Sequence, residues 1–346
     1  DFANLVLGVD TSGLKRGERD LRSFGAQGAR TERQIDKFGG AAKRSMGLVA
    51  VAATAALAAV VSLGRAVNII AEFETSMSRL GAVSRATSTE LEALRNIAKD
   101  LGSTTEFSAS QAADGLNFLA MAGFSASEAM AAIPSVLDLA TASGLGLAAA
   151  ADTASNIMSG FGIEAAQAAK VADVLAAAST RANTDVAQLG AAMSTVAPIA
   201  SALGMGLEDT AAAIGVMSDA GIQGERAGTA LRGVLASLAG PTTQAEEALR
   251  GMGLTIADVD PATNELSVVM GRLGAAGLST ADAMTIFGRE AASGALVLVE
   301  GAQRVGDFGD ELERADGAAG DMAATMRDNL GGDLKGAASA AQGLAI

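Results

Sequence analysis

Apolar positions along most of this chain recur every three to four residues, the spacing of one helical face. Ala129, Ile133, Val136, Leu137 and Ala140 make one such face, and Val171, Val174, Leu175 and Ala178 another. Nearer the start, Leu14, Leu21, Phe24, Ile35 and Phe38 thread a densely charged stretch, which predicts a polar helix with a narrow apolar stripe. Residues 3–9 are a short apolar run closed by Asp10-Thr11-Ser12-Gly13, a pattern that fits a strand and a turn. Gly39-Gly40 marks a break or hinge. Residues 46–63 then carry no charge at all, and the helical pattern continues through Phe73 to Leu80. A helix unbroken over 43–83 would be roughly 60 Å long at about 1.5 Å per residue.

From residue 88 onward the helices are punctuated. Thr89 with Glu92, Ser108 with Gln111 and Ser125 with Glu128 read as capping boxes, and Thr243 with Glu246 as a fourth. In this motif a hydroxyl accepts from a free backbone N–H while the Glu or Gln side chain reaches back to the cap. Phe107 and Phe124 precede two of the boxes, where they can staple the helix start. The stops share one form, apolar-Gly-apolar: Ala122-Gly123-Phe124, Phe161-Gly162-Ile163, Leu203-Gly204-Met205 and Ala220-Gly221-Ile222. Glycine supplies the left-handed residue that ends a helix, and the apolar residue after it folds back on the helix end. The first three glycines are 39 and 42 residues apart, which predicts an internal repeat of helical hairpins. Pro134 and Pro198 fall inside helical patterns and are expected to kink or split them. After Pro241 the pattern loosens. Residues 254–264, with Pro261 blocking a helix, read as an extended turn before helical spacing resumes near Ser279. Four segments follow: 1–40, a basic stretch with a short strand and a polar helix; 41–87, a long apolar helix; 88–240, a helical-hairpin core; and 241–346, helical with the extended turn.

Composition sharpens this all-helical picture. Of 346 residues 79 are Ala, against 3% aromatic residues, so helices are favoured and can approach closely over a thin core. The 42 glycines, above the usual share of about 7%, argue for frequent stops. His, Cys, Tyr and Trp are absent. That removes Ser-His-Asp and Cys-His catalysis, disulfides, and the preferred ligands of zinc and iron–sulfur clusters. Only carboxylate, Lys, Arg, Ser and Thr remain for chemistry. Charge is uneven: residues 1–65 carry 10 Lys+Arg and 6 Asp+Glu, a net of +4, whereas 66–346 carry 15 and 33, a net of −18. The acidic body opposes nonspecific DNA binding. The basic head could meet an acidic partner, a membrane surface or nucleic acid, but a solvated amphipathic helix explains it more simply. The chain opens Asp1-Phe2 without a signal peptide, as a processed product or excised fragment would.

Candidate sites are few. Residues 46–63 have the length of a membrane span, with Leu48, Val49, Val51, Leu57, Val60, Val61 and Leu63 as its larger apolar side chains. Eight of the 18 are Ala or Gly, which weakens insertion and favours a buried or self-associating helix. Gly144-Leu-Gly146 and Gly251-Met-Gly253 lack the third glycine, preceding strand and ribose-binding acid of a dinucleotide fingerprint. The adjacent acids Glu208-Asp209, Glu246-Glu247 and Asp310-Glu311 read as solvated helix starts, where carboxylates suit the helix dipole, rather than as catalytic pairs. The 13 Met residues read as gap fillers in an Ala core. No catalytic, cofactor or metal site is expected.

Several segments resemble the core region of tape measure proteins from long-tailed phages and prophages. Phe73-Glu74 opens the resemblance, followed by Leu101-Gly-Ser-Thr-Thr-Glu-Phe-Ser-Ala-Ser-Gln-Ala-Ala113 and Leu119-Ala-Met-Ala-Gly-Phe124. Ala220-Gly-Ile-Gln-Gly-Glu-Arg-Ala-Gly-Thr-Ala-Leu-Arg232 is the most specific part, and Met326-Arg-Asp-Asn-Leu-Gly-Gly332 ends it. The residues singled out are Phe73, Gly102, Thr105, Phe107, Ser108, Gly123, Phe124, Gly221, Gly224, Gly228, Thr229 and Arg232, all in structural roles. The resemblance spans about residues 66–346 and implies a virion structural protein, placed in the tail lumen and in the bacterial cytoplasm during assembly. Such a protein sets tail length and leaves with or ahead of the DNA, and some help it cross the host envelope. Its implied partners are tail tube and tail tip proteins and, at ejection, the host membrane; the exposed apolar stretch 46–63 further calls for a tail assembly chaperone or other copies of the chain to cover it, and specific nucleic-acid recognition is not implied. The long coiled-coil body of such proteins and the peptidoglycan-cleaving domain that some carry are not recognisable here. A membrane-active pore or toxin module using residues 46–63 is the alternative. The expected fold class is all-α: a long N-terminal helix, then an array of short antiparallel hairpins, with room for one short N-terminal strand.

Overall fold

The computed structural model describes residues 67–343, and among them every regular element is helical. The expected strand at 3–9, the polar helix at 14–38 and the apolar stretch at 46–63, with Leu48, Val49, Val51, Leu57, Val60, Val61 and Leu63, lie outside the described residues. Helix α1 runs through 67–84 and buries one stripe, Phe73, Ser76, Met77 and Leu80, at the three-and-four spacing of a helical face. Helix α2 (Ser88–Thr104) follows, then α3 (Ala109–Met121), α4 (Ala126–Ser143), α5 (Leu147–Phe161), α6 (Ala168–Arg181), α7 (Val186–Ala202), α8 (Leu207–Asp219) and α9 (Glu225–Ala239).

These helices stack in two rows. The principal interfaces join helices two apart in sequence: α3, α5, α7 and α9 form one row, and α4, α6 and α8 the other. The first-row helices begin at Ala109, Leu147, Val186 and Glu225, intervals of 38, 39 and 39 residues. The repeat suggested by the glycine spacing is therefore physical. Gly123, Gly162 and Gly204 each close the first-row helix of one pair, and all three have positive φ. In each case the N–H of the following apolar residue bonds five residues back: Phe124 to Leu119, Ile163 to Met158, Met205 to Ala200. That is the Schellman closure, and the apolar residue packs on the core.

The first row is close because small residues face each other. A Cβ built on Gly190 of α7 would lie 2.5 Å from Thr153 of α5, and one on Gly160 of α5 would lie 2.7 Å from Ala197 of α7. A Cβ on Gly228 of α9 would lie 2.4 Å from the Ala192 carbonyl oxygen of α7. An alanine-rich core gains its cohesion from many such short contacts, each individually small.

Beyond α9 the alternation breaks. Helices α10 (Thr243–Gly251), α11 (Ile256–Val259) and α12 (Leu266–Ala275) intervene before α13 (Thr280–Glu300) rejoins the first row against α9. Helix α14 (Ala302–Glu313) rejoins the second row against α8, with the Phe308 ring seated on Gly215. The last two helices turn back toward the start: α15 (Ala318–Arg327) lies on α4 and α6, and α16 (Leu330–Gly343) on α2.

Four sequence expectations need correction. The first capping box is Thr87 with Glu90, not Thr89 with Glu92. The Thr-x-x-Glu pattern occurs in two overlapping frames, and the earlier one starts the helix sooner while satisfying both bonds, Thr87 N–H to Glu90 at 2.8 Å and Glu90 N–H to Thr87 at 3.3 Å. The cap of α10 is Thr242, one residue before the expected Thr243, and accepts from Ala245 N–H. Residues 254–264 contain the four-residue helix α11 rather than a fully extended turn, because Thr255 and Asp258 form a capping box of their own. Finally, α4 and α7 run without a break through Pro134 and Pro198. Both prolines are exposed, and the carbonyls they leave without donors, on half-exposed Met130 and exposed Ser194, lie toward solvent while the opposite face stays packed.

Candidate functional site

The segments that carry the resemblance do not share one pocket; they sit at joints of the array. At the start of the array, Gly102 lies so near the next helix that a Cβ would come 2.5 Å from the Ala109 backbone nitrogen. Thr105 caps α2, its hydroxyl donating to the Leu101 carbonyl at 2.7 Å and accepting from Phe107 N–H at 3.2 Å. Ser108 and Gln111 form the expected capping box of α3, as Ser125 and Glu128 do for α4. Phe73 is fully buried, with the Arg95 guanidinium 5.5 Å from its ring centre.

The ending segment, Met326 to Gly332, meets the Leu101–Ala113 segment across the fold. Arg327 Nε donates to Glu106 at 2.7 Å, and its Nη2 donates to Asp138 at 3.1 Å and to the Thr141 hydroxyl at 3.0 Å. The Thr141 hydroxyl donates in turn to Glu106. Burial pushes the Glu106 carboxyl upward, but the hydrogen bonds from Thr141, its own backbone amide and Arg327 outweigh it and hold the group below the usual carboxylate range. Nearby, Ser339 of α16 is buried with its hydroxyl 2.7 Å from the Gly102 carbonyl and 2.6 Å from that of Phe107. Asp173 of α6, 8% exposed, accepts from Gly317 N–H and Ala319 N–H at 2.9 Å each and so caps α15 from a different helix. No pattern of spacing in the sequence could have paired residues 221 or 146 positions apart.

The segment from Ala220 to Arg232 forms the turn between α8 and α9. Gly221 is left-handed, with φ of 85°, and Ile222 N–H returns to the Met217 carbonyl at 2.9 Å. Gly224 has φ of 58° and ψ of −138° and opens α9 without a side-chain cap. Gln223 donates to the Asn183 carbonyl at 2.6 Å, and Asn183 N–H donates to Asp219 at 2.7 Å, tying this turn to the one before α7. Gly228 lets α9 touch α7. Half-buried Thr229 and exposed Arg232 line a groove of about 420 Å³ beside Gly288, where α13 is kinked, and Arg289.

One carboxylate group differs from its reading in the sequence. Glu208 and Asp209 do start α8, and Asp209 is exposed there, but Glu208 is not solvated. Glu208 is 8% exposed and pairs with Lys170 at 2.5 Å, which raises the Lys170 pKa. The exposed Asp209 carboxyl is held above the usual range, first by partial desolvation against the neighbouring helices and then by the charges of Glu265, Glu313, Glu208 and Asp310. Glu246-Glu247 and Asp310-Glu311 lie at partly or fully exposed positions, but Asp310-Glu311 stand near the end of α14 and not at a helix start. Among the described residues no three His, Cys, Asp or Glu side chains converge to hold a metal. Gly144 and Gly146, rejected as a nucleotide fingerprint, are the left-handed cap of α4 and the cap of α5. Among the described residues no single helix is long and apolar enough to cross a membrane. Only the pair α4 and α5, bent by 117° at their junction, passes together, and much of both is buried in the rows.

The family described as phage-related minor tail protein matches residues 95–288. The tape measure protein of Pneumococcus phage Dp-1 is 39% identical over 282 residues, covering 80% of this chain and 24% of that protein. The probable tape measure protein of Escherichia phage P2 is 33% identical over 283 residues, covering 78% of this chain and 34% of that protein. The chain thus spans about a quarter to a third of the length of these relatives. No solved structure matches. With the family match extending over more than half of its residues, the chain belongs to the phage-related minor tail protein family.

Proposed function

We propose that this chain is the folded core portion of a tail tape measure protein, a virion structural component that sets tail length during assembly. In this reading tail tube and tail tip subunits surround it, an assembly chaperone and other copies of the chain cover its apolar surfaces, and the protein is ejected to assist DNA delivery through the host envelope, where it meets the membrane. It acts without catalysis. The carrying observation is the identity of 39% and 33% with tape measure proteins of two phages over nearly the same span. The geometry is in keeping with it: the resembling segments are caps, stops and helix contacts.

A ruler works by length per residue. A single helix of 346 residues would reach about 520 Å at about 1.5 Å per residue. The described region folds back after each helix and so contributes far less; most of the measured length then belongs to other parts of the full protein. Deleting residues from those parts in the phage or prophage should shorten tails in electron micrographs by up to about 1.5 Å per residue. Deleting as many from 88–240 should shorten them by less or abort assembly. Tails of unchanged length in the first series would overturn the ruler reading. Clearing of a cell-wall suspension by the purified chain, abolished by one Glu or Asp substitution, would overturn the non-catalytic part. Leakage of liposomes by the phage-free chain would favour a membrane-active module instead.

A further inference from the structure

Between two successive glycine stops of the first row lies a pocket of about 300 Å³. The turn after α5 lines it with half-buried Phe161 and Ile163, and the turn after α7 with half-buried Met205 and buried Leu207. Two charged side chains line it as well, Lys170 of α6 and Glu208 of α8. Glu208 is 8% exposed, so a carboxylate stands enclosed among apolar side chains. A buried charge is costly unless a partner offsets it. Among the described residues the one ion pair of Glu208 is to Lys170 Nζ, 2.5 Å from Oε1, and the Lys170 side chain is 51% exposed. Oε2 lies toward Gly206, 3.3 Å from where a Cβ there would stand. Lys170 is held above its ordinary pKa by Glu208 first, against partial desolvation, and then by the charges of exposed Glu313 and Asp316. Arg304 and Arg314 pair elsewhere, with Glu311 and Asp310. Three carboxylates thus act on one ammonium, and the mouth stays acidic with Lys170 in place.

We propose that this pocket receives an arginine side chain from a basic segment of a partner protein, and that Lys170 is the placeholder it displaces. A lysine ammonium is a point charge, whereas a guanidinium presents parallel donors that match both oxygens of a carboxylate. Phe161, Ile163 and Met205 give its methylene stem an apolar wall. Glu313 and Asp316 attract a basic segment to the mouth and steer its approach. A divalent cation does not fit, since among the described residues no three His, Cys, Asp or Glu side chains converge to hold one. The partner is defined by its charge and shape, so the proposal does not depend on the tape-measure reading.

The probe is a fluorescently labelled Gly-Ser peptide carrying three arginines, with a counterpart in which neutral citrulline replaces each arginine. Binding to the full chain is read by anisotropy at low ionic strength. The arginine peptide should bind at least about tenfold tighter than the citrulline peptide. Glu208→Gln should weaken arginine-peptide binding about tenfold, and Lys170→Met should tighten it about threefold or more because the placeholder no longer competes. Should Glu208→Gln fail to fold, the exposed mouth still decides. Glu313→Gln/Asp316→Asn should weaken binding about fivefold, whereas Glu246→Gln/Glu247→Gln, the same change of charge on α10, should leave it within about twofold. Equal losses from those two double variants would overturn the proposal, because net charge alone would then account for binding. So would unchanged or weaker binding by Lys170→Met, or arginine and citrulline peptides that bind alike.

Discussion

At the scale of single residues, glycine does opposite things in different places. Gly228 exists to let α9 touch the α7 backbone, so Gly228→Ala forces a Cβ to within 2.4 Å of a carbonyl that cannot move alone. Overpacking of this kind costs about 1–3 kcal/mol, and here it should reach the upper end because the contact is backbone. Gly271 in α12 is exposed, with open space around its would-be Cβ. Gly271→Ala should stabilise by about 0.5–1 kcal/mol, the ordinary helix preference for Ala. Urea unfolding of the two variants should shift the midpoint in opposite directions. Asp209 offers a second residue-scale test, with the sign set by its raised pKa. The folded state prefers the protonated form, so its ionisation weakens folding as pH rises above the ordinary carboxylate range. Its place in the first turn of α8 favours the charge by about 0.3–1 kcal/mol, but partial desolvation and four neighbouring carboxylates oppose it at this exposed position. Asp209→Asn should therefore raise the melting temperature at pH 7, and the gain should vanish below about pH 4. A lower melting temperature at pH 7 would mean that the dipole prevails.

At the scale of elements, the starts and stops were the legible part of the sequence. Boxes at Ser108 and Ser125 and the left-handed glycines 123, 162, 204 and 221 stand where the sequence places them. They are legible because caps and Schellman closures are local, made by residues three to five apart. The misplaced boxes at Thr89 and Thr243 show the limit: Thr87 and Glu90 offer the first box in an overlapping frame, and Thr242 caps α10 with its hydroxyl alone, having Ala245 where a box needs Glu or Gln. Met252-Gly253-Leu254 and Ala276-Gly277-Leu278 close helices in the same way, with Leu254 and Leu278 N–H returning to Leu249 and Leu273. The apolar-Gly-apolar form could have found them. A Gly162 substitution separates conformation from packing, because nothing lies within 4 Å of its would-be Cβ. At φ 67° and ψ 31°, Gly162→Ala should cost about 1 kcal/mol from backbone strain alone. Gly162→Asn should cost less, since Asn tolerates the left-handed region. Equal losses for Ala and Asn in thermal unfolding would point to a contact instead.

At the scale of the whole molecule, Arg327 joins parts of the chain 221 and 189 residues apart. Its removal leaves Glu106 and Asp138 facing each other without a cation. Arg327→Met should destabilise by about 2 kcal/mol, below the 3–5 expected for a fully buried pair because Arg327 and Asp138 are each about a third exposed. Because the Glu106 pKa is lowered, the stability it contributes is present at neutral pH and lost as pH falls through its folded pKa. The difference between Arg327→Met and the unmodified chain should accordingly shrink in acid, as read by urea unfolding at pH 7 and pH 3.

What the sequence determined by itself is what neighbouring residues settle: helix as the only regular element described, the ends of many helices, and a repeat near 39 residues. Alanine content and glycine punctuation suffice for that, because propensity and capping act over one or two turns. Only the tertiary structure decided which helices meet. It placed helices two apart side by side in rows, kept α4 and α7 whole through outward-facing prolines, buried Glu208 in a helix start that reads as solvated, and brought Arg327 to Glu106. Those outcomes depend on which faces are covered once the rows close. That is a property of packing across hundreds of residues, and periodicity along the chain carries no record of it.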